Sequence, residues 1–278
     1  MKYSVVNDRI EIEGKEEFNP KDILECGQIF RFYKNEDNDY VVLSKNLKAT
    51  IEENETGYTI ICSDTDYFVK FFNLDINYTE IKNRLKKDKF LAEVIEKGEG
   101  IRIIKNDLFE TICCFIISAN NNIKRIKLIL SRLTEAVGNK LDDKDFCFPT
   151  VEQFKSLDER FFAKIGAGYR ARYLSRLAEN FENLLKVDTE NLSTDELRKE
   201  LLKITGVGPK VADCIMLFAY NRYDVFPVDV WTERVYLEHL GGTKMDRKKI
   251  AKDLVKRYGN LAGFAQQYLY YYKAIEKF

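Results

Sequence analysis

Two charged residues in this chain stand at helix starts where their chemistry could matter. Lys210 opens an apolar helical pattern directly after Thr205-Gly206-Val207-Gly208-Pro209, and Asp229 follows Pro227-Val228. Two glycines around one valine permit a very tight turn between helices, because glycine reaches positive φ without steric cost. Pro209 suits the first position of the second helix, where its missing N–H is not needed. A hairpin of this kind turns backbone N–H groups outward at a helix N-terminus, which is a seat for a phosphate. A cation in that first turn is disfavoured by the helix dipole, so the charged form of Lys210 is expected to be less stable than on an ordinary surface. Asp229, after a break at Pro227, is placed to cap the next helix. Each part alone is ordinary: a turn, a surface lysine, an N-cap. A nucleotide-binding loop is excluded, because the Gly-x-x-x-x-Gly-Lys-Ser/Thr spacing is absent.

The composition bounds the rest. The chain has 278 residues, enough for two or three packed subdomains. Lys+Arg and Asp+Glu are both 45, so the formal net charge is zero. That balance excludes binding of nucleic acid by bulk charge and leaves a local basic face with backbone N–H groups. The six cysteines, Cys26, Cys62, Cys113, Cys114, Cys147 and Cys214, show no metal-ligand spacing. With a single histidine, His239, zinc chemistry is not indicated, and reduced, buried thiols are expected. No apolar run approaches the roughly 20 residues of a membrane span, and Met1 to Val6 do not read as a signal peptide. The chain is therefore expected inside the cell, in the cytoplasm, with no membrane contact.

The elements that must position the two residues come in order. Up to about Ser63 the pattern is β-like: Ile10-Glu11-Ile12-Glu13 alternates, and Asn35 to Asp39 and Asn54 to Gly57 read as hairpin turns. Within this region Glu25 to Phe32 reads as a strand with a glycine bulge at Gly27. From Tyr67 the period becomes helical, and the best composition boundary lies near Glu99-Gly100. Asp107-Leu108-Phe109-Glu110 has the form of a capping box before a nearly all-apolar helix. That helix ends in Asn120-Asn121-Asn122, three residues that favour turns. Gly166 to Tyr173 is a glycine-loosened loop rich in Tyr and Arg, suited to stacking and phosphate contact. Ser193 to Glu196 is a second capping box and starts the hairpin. Asp246 to Tyr258 reads as a solvated basic helix. The last helix carries Tyr268, Tyr270, Tyr271 and Tyr272, dense enough that one ring is expected to face a pocket.

Taken in order, Gly27-Gln28, the Asn120-Asn121-Asn122 loop with Arg125, Gly168 to Tyr173, the hairpin with Lys210 and Asp229, and Ala262-Gly263-Phe264-Ala265-Gln266 carry a resemblance. From about Lys21 to Tyr272 the chain resembles the 8-oxoguanine DNA glycosylase/lyases of the helix-hairpin-helix superfamily. The resemblance implies an α+β protein. An N-terminal antiparallel sheet domain, residues 1–100, would contribute to the base pocket. A two-lobed all-α glycosylase domain, residues 101–278, would follow, with the hairpin at 194–221. Lys210 would be the nucleophile and Asp229 would orient it. The Gly27 carbonyl would accept the N7–H that oxidised guanine has and guanine lacks. Gln266 would bond the Watson–Crick edge, and Cys214 and Tyr270 would sandwich the base. Asn120 would fill the gap in the duplex, and Tyr169 would wedge the opposite strand. Arg125 and Arg170 would read the estranged cytosine, and Gly206 and Gly208 would bring the hairpin to the backbone. The implied partner is double-stranded DNA containing oxidised guanine, bound by a monomer without metal or cofactor. Two residues depart from the eukaryotic pattern: Tyr270 replaces phenylalanine and Trp231 replaces histidine.

Two alternatives follow from the same residues. A monofunctional glycosylase would use the aspartate without the lysine. A non-catalytic helix-hairpin-helix module would leave Gly27, Gln266 and the asparagine loop without a role.

Overall fold

The computed structural model describes residues 1–275. Six strands form one antiparallel sheet in the order β1-β2-β6-β5-β4-β3. They are β1 (Lys2–Val6), β2 (Arg9–Glu13), β3 (Phe32–Lys34), β4 (Tyr40–Ser44), β5 (Leu47–Glu53) and β6 (Gly57–Cys62). Alternation sets the register: Ile10 and Ile12 are buried and pair with Ile60 and Tyr58 of β6, while Glu11 and Glu13 face the other way. The two asparagine-rich turns join β3 to β4 and β5 to β6, as their composition implies. Phe18, Ile23, Leu24, Phe68, Phe71 and Phe72 close the buried face of the sheet into a core of its own.

A second, larger core belongs to the helices. Helices Tyr78–Leu85 and Lys89–Lys97 contribute to it, as do Leu108–Ser118, the hairpin pair Thr194–Leu201 and Pro209–Ala219, and the start of the last helix, Ala262–Ile275. Ser193 and Glu196 form the expected capping box, and so do Thr150 and Gln153. Asp107 caps its helix alone. The Glu110 carboxylate is buried and turned away, accepting from Lys45 N at 2.8 Å and pairing with Arg31 at 3.2 Å. The Asp-x-x-Glu spacing there serves an ion pair with the sheet, not a box.

Glu25 to Phe32 also differs from its expected form. Residues 25–30 are a turn after the short helix Pro20–Leu24, and Gly27 sits at φ 78°, outside any strand. Long-range bonds hold this turn. Gln28 Nε2 donates to the carbonyls of Ile23 and Arg102, both at 2.7 Å, and Gln28 Oε1 accepts from Ile104 N. Arg102 is itself fully buried and stacks on Tyr78. Its guanidinium donates to the carbonyls of Phe72, Glu17, Asn73 and Ile76. Burial disfavours a charge, and these four acceptors are what make it tolerable.

Arg102→Met is therefore expected to lower stability by about 3 kcal/mol or more, because several buried carbonyls lose their donor at once. A urea midpoint equal to that of the wild type would contradict this account.

Candidate active site

Helix Pro209–Ala219 is buried from Val211 to Ala219, so its position is fixed by packing against Leu108–Ser118 and the first hairpin helix. Its first turn breaks the surface. Gly208 is the N-cap and no side chain caps the turn, which leaves the leading N–H groups turned outward. Lys210 is half-buried there, its ammonium nitrogen 5.4 Å from the centre of the Phe115 ring. Phe218 stacks behind Phe115. Asp229 caps helix Val230–Glu238, with Oδ1 accepting from Trp231 N and Thr232 N, both at 2.9 Å. Two N–H bonds to one oxygen fix the orientation of the carboxylate.

Lys210 and Asp229 open into one cavity of about 650 Å³. Gly27, Cys214, Gln266 and Tyr270 line it as well, and so do Asn120, Asn121 and Trp231. Residues far apart in sequence thus converge as expected. The tyrosine that faces the cavity is Tyr270. Tyr268 is buried in the core, and Tyr271 donates to Asp22 at 2.9 Å. Gln266 is buried, and its Oε1 has no hydrogen-bond partner among the described residues. A buried amide oxygen left open on a cavity wall is a group waiting for a donor on a ligand. Gln267 donates to Cys26 and holds the turn that carries Gly27.

Two walls of the cavity are held neutral. Burial pushes the Cys214 thiol up, and Lys210, close enough to hydrogen-bond it, only partly opposes this. Burial, reinforced by the Asp229 charge, raises the Tyr270 phenol. Both present apolar or neutral surface at neutral pH, which suits stacking on an uncharged base.

The asparagine loop divides its work. Asn122 caps the next helix through Arg125 N, Asn121 Nδ2 donates to Ile117 O, and Asn120 sits exposed at φ 50°. Arg125 is exposed and donates to Gly166 O at 3.2 Å. Tyr169 is half exposed beside the loop, its hydroxyl on Ala119 O. Arg170 lies behind the loop. It is 3% exposed, and its guanidinium is taken up by the carbonyls of Ala119, Asn120 and Ala167. In this arrangement it braces the Asn120 turn and does not present itself to a base.

The two hairpin glycines also differ. Gly206 lies at φ 93°, and an added Cβ would approach the Tyr173 ring at 2.8 Å. Gly208 lies at φ −96°, which any residue adopts, and an added Cβ there would meet nothing within 4 Å. Sequence reasoning missed Arg247, which it placed on a solvated helix and which lines the cavity. Nothing in its local pattern distinguishes it.

Comparison with known proteins then fits both halves. Residues 10–112 match the 8-oxoguanine DNA glycosylase N-terminal domain, and residues 113–259 match the HhH-GPD superfamily of base excision DNA repair proteins. The chain belongs to that superfamily. It is 30% identical over 248 residues to the N-glycosylase/DNA lyase OGG1 of Arabidopsis thaliana, covering 81% of this chain and 68% of the relative. It is 29% identical to the N-glycosylase/DNA lyase of Saccharomyces cerevisiae, covering 92% and 84%. The Clostridium acetobutylicum 8-oxoguanine glycosylase/lyase, solved with duplex DNA containing cytosine opposite 8-oxoguanine, superposes with a TM-score of 0.91 at 34% identity, over 100% of this chain and 99% of that one. Its apo form superposes at 0.89 and 35% identity, over 97% and 98%.

Gly206→Ala is expected to destabilise the fold by about 1–3 kcal/mol, since it forces a side chain into the left-handed region against Tyr173. Gly208→Ala is expected to cost less than about 1 kcal/mol and to weaken DNA binding. Paired denaturation and gel-shift measurements check the split; equal stability losses would contradict it.

Proposed function

We infer that this protein flips 8-oxoguanine out of duplex DNA, breaks its N-glycosidic bond and then cuts the strand beside it. The observation that carries this reading is the meeting of Lys210, Asp229, Gly27, Cys214, Gln266 and Tyr270 in one cavity of about 650 Å³, a size that admits a purine nucleotide. Extrusion costs a few kcal/mol, offset by the pocket and by the groups that replace the base in the duplex. Exposed Asn120 lines the cavity, and exposed Tyr169 lies beside its loop with its hydroxyl on the Ala119 carbonyl, both free to meet the duplex.

The chemistry follows from the two charged groups. The neutral amine of Lys210 attacks C1′ of the sugar, and the C1′–N9 bond breaks as the base leaves with the bonding electrons. The Asp229 carboxylate, held in place by its two backbone donors, stabilises the positive charge that develops on the sugar. Ring opening gives a Schiff base between Lys210 and C1′. Loss of a proton from C2′ then expels the 3′ phosphate and nicks the strand. The uncapped first turn of helix Pro209–Ala219, with the open space at Gly208, seats a backbone phosphate.

Lesion recognition rests on Gly27 and Gln266. The Gly27 carbonyl accepts the N7–H of the oxidised base, and guanine offers an acceptor there instead. A mismatched polar contact of this kind costs about 1–3 kcal/mol. Gln266 supplies its unpaired Oε1 to a donor on the Watson–Crick edge. Gly27 cannot change without disturbing this. A Cβ would sit 2.9 Å from Tyr270 Cε1 and Oη, on a backbone already at φ 78°. The presence of Lys210 favours this reading over a monofunctional glycosylase.

Borohydride is expected to trap a covalent adduct between wild-type protein and lesion-bearing DNA. Lys210→Gln should bind the lesion duplex and give neither adduct, base loss nor nick; base loss by this variant would remove the nucleophile assignment. Asp229→Asn keeps the helix cap and loses the charge, so single-turnover base removal should fall about 100-fold or more. Gly27→Ala should excise 8-oxoguanine roughly 5–150-fold more slowly, the range set by about 1–3 kcal/mol; excision at the wild-type rate would end the role given to Gly27.

A further inference from the structure

Among the described residues that line the cavity, three carry charge: Lys210, Asp229 and Arg247. The first two are consumed by the chemistry. The walls that take the base are neutral, with Cys214 and Tyr270 both held uncharged by burial. A flipped nucleotide enters base first, and its phosphates stay at the mouth. One guanidinium lines that cavity with no task in base removal.

The placement of Arg247 fits an anion. It opens helix Arg247–Tyr258, and its side chain is 49% exposed, so it reaches both the cavity and solvent. Its Nε donates to Glu233 Oε2 at 2.7 Å. Glu233 lies one turn beyond Asp229, on the helix that Asp229 caps. Gripping the guanidinium through Nε leaves its terminal amino groups as the pair that a phosphate takes in a two-pronged contact. Trp231, which also lines the cavity, lies under the guanidinium of Arg234.

We propose that Arg247 binds a backbone phosphate of the flipped nucleotide's strand, with Glu233 as the residue that orients it. The contact anchors the strand at the cavity mouth, so it adds to binding and takes no part in the chemical step. The inference rests on the reading of the cavity as a seat for a flipped nucleotide.

The test is the salt dependence of binding to a duplex bearing a tetrahydrofuran abasic analogue, which the protein can hold and cannot cut. Each phosphate neutralised by a side chain adds about 0.9 to the slope of log affinity against log salt. Arg247→Ala should lower that slope by about one. Between 50 and 200 mM salt, wild type should lose roughly 3.5-fold more affinity than the variant. Arg247→Lys should keep the slope, and Arg9→Ala, on the sheet away from the cavity, should leave it unchanged. Single-turnover base removal at saturating DNA should stay close to wild type, so the loss appears in KM and not in kcat. An Arg247→Ala slope equal to wild type overturns the proposal, as does a loss confined to kcat. Failure of wild type to bind the abasic duplex at all would instead overturn the proposed function.

Discussion

The structure depends on one constraint: a helix buried along almost its whole length must still deliver its first turn to the surface. Val211 to Ala219 have no solvent face. Nothing along that helix can slide or rotate without opening the core, so Lys210 cannot wander. Rigid placement of this kind is what converts a surface amine into a positioned nucleophile. The tight turn at Gly206 is part of the same constraint, because it lets the preceding chain leave without covering the helix end. Tyr173 packs on the space that glycine leaves and so ties the hairpin to the neighbouring aromatic loop.

The sheet contributes by a different route. It sends one turn across to the helices, and that turn carries Gly27. Gln28 fastens it from one side and Gln267 from the other, while Arg102 fixes the segment to which Gln28 is tied. The specificity element is therefore held by buried amide and guanidinium groups with their acceptors in place, not by membership of the sheet. Such networks are worth having only when complete. Gln266 Oε1, without a partner among the described residues, lies on the cavity wall, where a base would close it.

What the sequence made legible was local. The hairpin, Pro209, the Asp229 cap, the capping box at Ser193 and the asparagine turn all follow from propensities within a few residues, and all stand in the structure. The convergence of Lys210, Asp229, Gln266 and Tyr270 was reached through the resemblance, not from spacing. The misreadings share a cause. Gly27 was placed in a strand because the bonds that hold its turn come from residues 102, 104 and 267. Glu110 read as a cap because its true partner, Arg31, is distant in sequence. Arg247 is exposed, as its helix pattern reads, but that pattern does not reveal that this end also borders the cavity.

The thiol next to the nucleophile has a consequence of its own. Peroxide attacks thiolates, and Cys214 is held as the protonated form by its apolar surroundings. Cys26, on the other side of the cavity, is pushed up to about 12 for the same reason. An enzyme called upon when guanine is being oxidised thus lines its own binding site with sulfur in its least oxidisable state, and keeps its shape under the conditions that create its substrate.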